Sequence, residues 1–428
     1  MKIDDCRLGA GVVLTLAVLS GTAAMAPQAP DVAALVNSPA FKAAMASIDR
    51  HHDRLVDDIV TLTEIPAPPF KEDARGERYL TMLGEAGLTN VERDAEGNVM
   101  GLWKGAGTGP LLAVAAHLDT VFPEGTDVKV RRQGTRLSAP GVGDDTRSLA
   151  VLLAIVRAMT DAGIRTKSDI LFVGDVGEEG PGDLRGMKYL FQKGPYKDRI
   201  KAFISIDGAG GGDDITHGAV GSKRYRVTFK GPGGHSYGAF GLVSPAFAMG
   251  NAIQKFSKIV VPRAPKTTFN VGVVGGGTSV NSIPFESWMD IDMRSESPVE
   301  LAKVEKEFLP LMQQAADEEN AARSTAQGKI TVDLKVIGDR PSGQTPKDSA
   351  IVQTAAAAIR AGGMTPTFSF SSTDSNIPIS MGIPAITIDS GGQGGRAHAL
   401  DEWIDVEKTA SLKGIQNAMA IILAMANR

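Results

Sequence analysis

Uninterrupted apolar runs alternate with helix-spaced segments through the first half of this chain. LLAVAAH at 111–117, DILFVGDV at 169–176 and KAFISIDG at 201–208 are too short for helices and lack polar alternation, the pattern of strands covered on both faces. Between the first two, SLAVLLAIVRAMTDAG at 148–163 has helical spacing and stops at Gly163. Strand and helix in turn predict an α/β sheet with helices on both faces. A first helix is expected around 49–65, and the Ala/Pro-rich stretch 27–48 reads as a poorly ordered leader into it.

After about residue 219 the rhythm changes. KRYRVTFKG, SPAFAMGNAIQKFSKI, TTFNVGVV, ESWMDIDMRS, VELAKVEKEFLPLMQQAADEENAA and KITVDLKVI read in order as βαββαβ. Strand–helix alternation then resumes through PAITID at 384–389. The expected organisation is one discontinuous α/β domain, 49–218 and 336–428, carrying an inserted lobe at 219–335. A length of 428 residues also favours two domains over one core.

A hydrophobic fraction of 43% with 22% charged residues is that of a soluble globular protein. The formal net charge of −4 and the lack of any Lys/Arg-rich run give no electrostatic reason to expect nucleic acid. Residues 8–19, LGAGVVLTLAVL, follow Lys2 and Arg7 and precede GTAAMAPQAP. That run is too short to span a bilayer comfortably and reads as a signal peptide over 1–26, cleaved after Ala24 or Ala26. It predicts a periplasmic or secreted protein whose mature form has no stable membrane span; a different reading of the start would leave the chain cytoplasmic. Cys6 is the single cysteine, so an intrachain disulfide and thiolate metal ligation are excluded. Any metal must be bound by imidazole and carboxylate.

Such ligands occur in five separate pieces, mostly in small-residue loops after apolar runs, where open α/β sheets place their sites. His117 and Asp119 in HLD have period-two spacing, so a continuing strand would point both the same way, one ligating and the other orienting. Asp144, in GVGDDT, has two oxygens that can bridge two cations, although an aspartate before a helix also suits an N-cap. Glu178 and Glu179 are adjacent in a Gly-flanked loop and point different ways, so one can ligate while the other faces a water as base. Asp207 ends an apolar strand, where burial is costly unless it coordinates something. His398 lies in the Gly-rich GGQGGRAHA and is followed by Asp401 and Glu402.

Together these segments resemble the zinc exopeptidase and deacylase family that includes carboxypeptidase G, tripeptidase T, acetylornithine deacetylase, succinyl-diaminopimelate desuccinylase and aminoacylase-1. The resemblance covers most of the chain after about residue 50. It implies a mixed sheet with helices on both faces and an inserted ferredoxin-like lid and dimerisation domain. By motif it also implies two Zn2+ per chain, with Co2+ or Mn2+ acceptable: His117 and Asp207 on one, Glu179 and His398 on the other, Asp144 bridging. Asp119 would be the partner of His117, and Glu178 the general base. Where the family often has Asp-Asp-Lys, this chain has Asp144-Asp145-Thr146. Aspartate rather than glutamate at 207 resembles the peptidase-type members.

Three lobe residues resemble family positions as well. His235 in GPGGHSYG resembles a histidine that reaches an active site across a dimer interface. Asn281 in VNSIP and Arg340 in GDRPSG resemble a substrate-contacting asparagine and a carboxylate-binding arginine. In isolation, His235 would pass for a turn histidine and Arg340 for a surface arginine. The implied activity is hydrolysis of an amide bond at the end of a small peptide by a homodimer, with N-acyl amino acid deacylation as the rival. A non-catalytic metal- or peptide-binding protein is the remote alternative, and Glu178 argues against it. The chain has neither a Gly-x-Ser-x-Gly elbow nor a catalytic cysteine.

Overall fold

The computed structural model describes residues 31–428, so the expected signal segment and Cys6 lie outside the described residues. The stretch taken for a loose leader is helical from Val32–Asn37 and again from Pro39–Arg50. Asp31 and Ser38 cap the two helices by accepting from the Ala34 and Phe41 amides. Phe41, Ala44 and Ile48 recur at helical spacing and are buried in the main core. Alanine-rich composition suggested disorder, but three apolar anchors on one face supply the burial that offsets chain ordering.

Among the described residues a nine-stranded sheet forms the central layer. Its strands run in the order Thr89–Arg93, Val99–Trp103, Ile170–Asp175, Leu111–His117, Ile200–Ile206, Ala385–Ile388, Asp214–Ala219 and Gly343–Gln344, with Thr367–Ser371 also paired to Asp214–Ala219. The middle strands, from Ile170–Asp175 through Ala385–Ile388, are parallel, and antiparallel partners flank them. The sheet is therefore mixed. Strand Leu111–His117 is buried throughout, and its residues alternate between two cores. Leu112, Val114 and Ala116 pack under helices Thr146–Asp161, Ala350–Ala361 and Lys408–Ala426. Leu111, Ala113 and Ala115 meet Met187, Leu190 and Phe191 of helix Arg185–Gln192 on the opposite face. Because the middle strands are parallel, His117, Asp175 and the residue after Ile206 all emerge at one rim.

The lobe has its own core. Strands Thr267–Gly276, Glu286–Ser295, Gly221–Lys230 and Thr331–Arg340 form an antiparallel sheet in that spatial order, covered on one face by helices Pro245–Phe256 and Pro298–Ala322. The chain order is the expected βαββαβ. Along Glu286–Ser295 burial alternates strictly: Met289, Ile291 and Met293 face the helices, while Asp290, Asp292 and Arg294 face away. The last strand runs on to Arg340, past the expected boundary at 335. Its end, IGDR, is polar and glycine-containing and reads as a turn, but cross-strand pairing with Gly221–Lys230 carries it further. No described helix is long and apolar enough to cross a membrane.

Candidate metal centre

At the rim, five separated segments converge. Asp144 stands between two imidazoles: His117 Nε2 lies 2.9 Å from its Oδ1, and His398 Nε2 lies 3.0 Å from its Oδ2. His398 Nε2 is also 3.0 Å from Glu179 Oε1, and His117 Nε2 is 4.0 Å from Asp207 Oδ1. The structure thus brings together all five residues expected to ligate metal. His398 reaches its position with φ of 65°, a left-handed conformation that a non-glycine residue adopts only when its surroundings impose it.

The donor set, imidazole and carboxylate groups within reach of one another, fits bound divalent metal. Asp175 and Asp374 add two buried carboxyl groups beside the centre that face each other and share a proton. Burial and neighbouring negative charge push Asp207 and Asp374 well above the usual carboxylate range. Burial alone would lower the His117 pKa, but its hydrogen bond to Asp144 and the nearby carboxylates outweigh that and hold it well above the ordinary value. Hydrogen bonds to Asp144 and Glu179 push His398 up to about 10. Without a cation, the imidazoles themselves become the counter-ions. Such an excess of buried acid is what bound metal would neutralise.

Around these residues a second set of contacts sets their geometry. The Asp119 carboxylate lies beside His117, as period-two spacing suggested, but makes no hydrogen bond to the imidazole. The strand ends at His117, the imidazole Nδ1 meets the Asp119 backbone carbonyl at 3.0 Å, and the carboxylate lies 3.7 Å away. Instead, Asp119 accepts from the Glu178 and Glu179 amides at 3.0 and 2.8 Å, joining two ligand loops. Asp145 occupies the N-cap of helix Thr146–Asp161 but makes no capping bond; it accepts from the His117 and Gly208 amides, both at 3.1 Å. Glu402 accepts from the Gly141, Gly143 and Asp144 amides, each at 2.8 Å, and so fixes the loop that presents Asp144. Sequence reasoning noted Glu402 and Asp145 only as neighbours of ligands and gave them no role. It missed Asp175 and Asp374 entirely.

Glu178 and Arg340 form a buried pair. Arg340 Nη1 donates to Glu178 Oε1 at 3.2 Å and to Ser372 Oγ at 3.3 Å, while Nη2 donates to the Glu178 carbonyl. Burial pushes Glu178 up to about 7 against the pull of Arg340. Gly177, just before it, has φ of 72°, and a Cβ there would stand 2.6 Å from the Arg185 side chain, so this turn needs glycine. Asn281 and His235 lie elsewhere. His235 lies on the segment Gly234–His235, which pairs with Ser282–Ile283, and Asn281 just before that partner accepts from the Ser236 amide at 2.9 Å; both are exposed on the lobe, and neither lines the cavity over the ligands. One chain does not bring them to the centre.

The buried acids make a prediction for the metal-free protein. Burial raises Asp175 to about 8 and both Glu178 and Glu402 to about 7. The fold therefore retains protons that the unfolded chain releases at lower pH. That contribution is complete below the unfolded carboxylate pKa and is lost as pH rises through the folded values. His117 and His398 act in the same direction, whereas the depressed Asp144 contributes a constant amount across this window. In chelator, Tm should fall from about pH 6 to about pH 8, and added zinc should remove most of that fall. Calorimetry showing a level or rising metal-free Tm would contradict this account.

Residues 113–427 match the family described as Peptidase family M20/M25/M40. Carboxypeptidase G2 from a Pseudomonas species is 24% identical over 199 residues, which are 46% of this chain and 47% of that enzyme, so the chain spans about half the length of this curated relative. Aminopeptidase PepT from Bacillus cereus superposes with a TM-score of 0.69 at 22% identity, covering 88% of this chain and 99% of that one. The dipeptidase Dug1p from Saccharomyces cerevisiae superposes with a TM-score of 0.73 at 14% identity, covering 90% and 98%. At these identities the structural likeness shows a shared fold.

Proposed function

The chain belongs to Peptidase family M20/M25/M40, and from that premise we propose that it hydrolyses the amide bond at one end of a small peptide with the help of two divalent cations. The observation that carries this reading is Glu178, a buried carboxyl held by Arg340 on the rim of a cavity that Asp144, Glu179, Asp207 and His398 also line. A protein that only binds metal or peptide has no need of a base there. The relatives, a carboxypeptidase, an aminopeptidase and a dipeptidase, support peptides over simple N-acyl amino acids as substrates.

His117 and Asp207 would hold one cation, Glu179 and His398 the other, and Asp144 would serve both. Nitrogen and oxygen donors suit Zn2+ and also accept Co2+ or Mn2+. When bound, the cations would polarise the scissile carbonyl and make a water acidic near neutral pH. Glu178 takes one proton as the water oxygen bonds to the carbonyl carbon. The C–N bond then breaks, and Glu178 returns the proton to the departing amine. Arg340 keeps the carboxylate aimed throughout. A panel of dipeptides, tripeptides and N-acetyl amino acids with added zinc tests the reading. Peptides should be turned over, elemental analysis should find about two metals per chain, and chelators should abolish activity. Turnover of N-acetyl amino acids alone would move the assignment to a deacylase, and activity surviving complete metal removal would end it.

The position of His235 and Asn281 supports a homodimer, in which each lobe presents them to the partner's centre to stabilise the oxyanion. Thr267–Gly276 is an edge strand whose Val273 and Val274 are exposed, a surface suited to pairing with a second copy. Light scattering should give twice the chain mass. A monomer with full activity would remove the cross-subunit role.

A further inference from the structure

A second buried arginine, Arg75, stands beside the centre and has no part in the mechanism above. It lies in the first turn of helix Asp73–Glu85 and is fully buried. Its Nε and Nη2 donate to the Ile65 carbonyl at 3.0 and 2.8 Å, and its Nη1 donates to the Leu118 carbonyl at 2.6 Å. All three nitrogens are therefore used, and both acceptors belong to the main chain. Leu118 sits between His117 and Asp119, and its amide donates to the Asp175 carbonyl at 2.7 Å. The Thr120 amide donates to the Ala67 carbonyl at 3.0 Å. The guanidinium fork thus laces the segment after helix His52–Thr63 to the turn that carries His117 and Asp119. Burial lowers Arg75 to about 10 against the pull of Asp119, Asp145 and Glu72, so the group stays charged at neutral pH.

We propose that Arg75 is a positioning residue of the centre, whose fork fixes the His117–Asp119 turn and, through Asp119, the loop that carries Glu178 and Glu179. The inference rests on the metal-assisted reading and concerns what holds its ligands in place. The chain of contacts is short. Arg75 holds the Leu118 carbonyl, the next residue accepts the Glu178 and Glu179 amides at 3.0 and 2.8 Å, and the preceding one is His117. A shift of this turn would move an imidazole, the base and a carboxylate together. Lysine could keep the charge, but a single ammonium has no planar fork with which to hold two carbonyls. Arg147 shows what a purely structural buried arginine looks like. It is equally buried, yet its hydrogen bond goes to Ser411 Oγ at 3.2 Å, joining helices Thr146–Asp161 and Lys408–Ala426, and its Nε and Nη1 have no partner among the described residues.

The test compares Arg75→Lys with Arg147→Lys. In the metal-free Arg75→Lys protein, hydrogen exchange read by mass spectrometry should quicken about ten-fold or more over 117–120 and 176–179, while strand residues 111–116 keep wild-type protection. Zinc titrated against a chromophoric chelator should bind about ten- to a hundred-fold more weakly, and kcat for a dipeptide should fall by a similar factor with KM near the wild-type value. Methylguanidinium added to Arg75→Ala should restore zinc affinity, and methylammonium should not. Arg147→Lys should lower Tm and leave exchange at these segments, zinc affinity and kcat unchanged. Wild-type exchange and zinc affinity in Arg75→Lys would overturn the proposal. So would equal weakening in the two lysine variants, or an Arg75→Lys chain that does not fold, because either makes Arg75 a residue of the fold alone. If the wild type binds no zinc, the metal reading fails, and the exchange comparison, which needs no metal, still judges the brace.

Discussion

Glu178→Gln should lose about 10²- to 10⁴-fold in kcat while retaining both metals, because the amide keeps the shape of the side chain but cannot accept a proton. The separation of effects follows from geometry. Glu179, not Glu178, faces His398, so the five side chains proposed to hold metal remain intact. Arg340 loses its ionic contact at Glu178 Oε1 but keeps its bond to the Glu178 backbone carbonyl, which holds the loop in place. The measurement is kcat at saturating peptide, with elemental analysis and Tm on the same sample. Wild-type turnover in this variant would remove Glu178 from the mechanism. Loss of metal together with turnover would make it a ligand rather than a base.

Asp144→Ala should empty both positions of the centre, whereas His398→Ala should empty one. Each oxygen of Asp144 faces a different imidazole, His117 at 2.9 Å and His398 at 3.0 Å, which places its carboxylate between the two halves. Removing it also leaves two imidazoles without the carboxylate that holds them. Metal per chain after dialysis should drop from about two towards zero in Asp144→Ala and towards one in His398→Ala, with activity at background in both. An Asp144→Ala protein that keeps one metal at wild-type affinity would show that Asp144 does not bridge.

Neither variant could have been designed from local pattern alone in its present form, since each depends on which side chain faces which. The family resemblance implied Asp144 as the bridge and Glu178 as the base; in the structure Asp144 faces both imidazoles and Glu178 pairs with Arg340. The same comparison exposes the limits of spacing arguments. The Asp119 carboxylate does lie 3.7 Å from the His117 imidazole, but the strand stops at His117 and the Asp119 backbone carbonyl makes the closer contact. The Pro39–Arg50 helix was missed because its anchors, Phe41, Ala44 and Ile48, are sparse among alanines. Arg340 resembled a substrate clamp, yet its guanidinium is occupied by Glu178.

By itself the sequence determined the layer architecture, the βαββαβ lobe and the acidic and imidazole-bearing loops that meet at the rim. Those features are local: an apolar run with strand length, a helix-spaced segment ending in glycine, and an acidic or imidazole side chain just beyond can be read within a few residues. Tertiary structure alone decided the supports. Glu402 holds the Asp144 loop from far along the chain, Asp119 ties the Glu178–Glu179 loop to the rim, and Arg224, Asp292 and Arg294 gather on one sheet face. A lone arginine or aspartate in a polar strand carries no local signal of its partner. Charge pairing is set by distance in space, which only the closed sheet and the docked lobe bring down to about 3 Å.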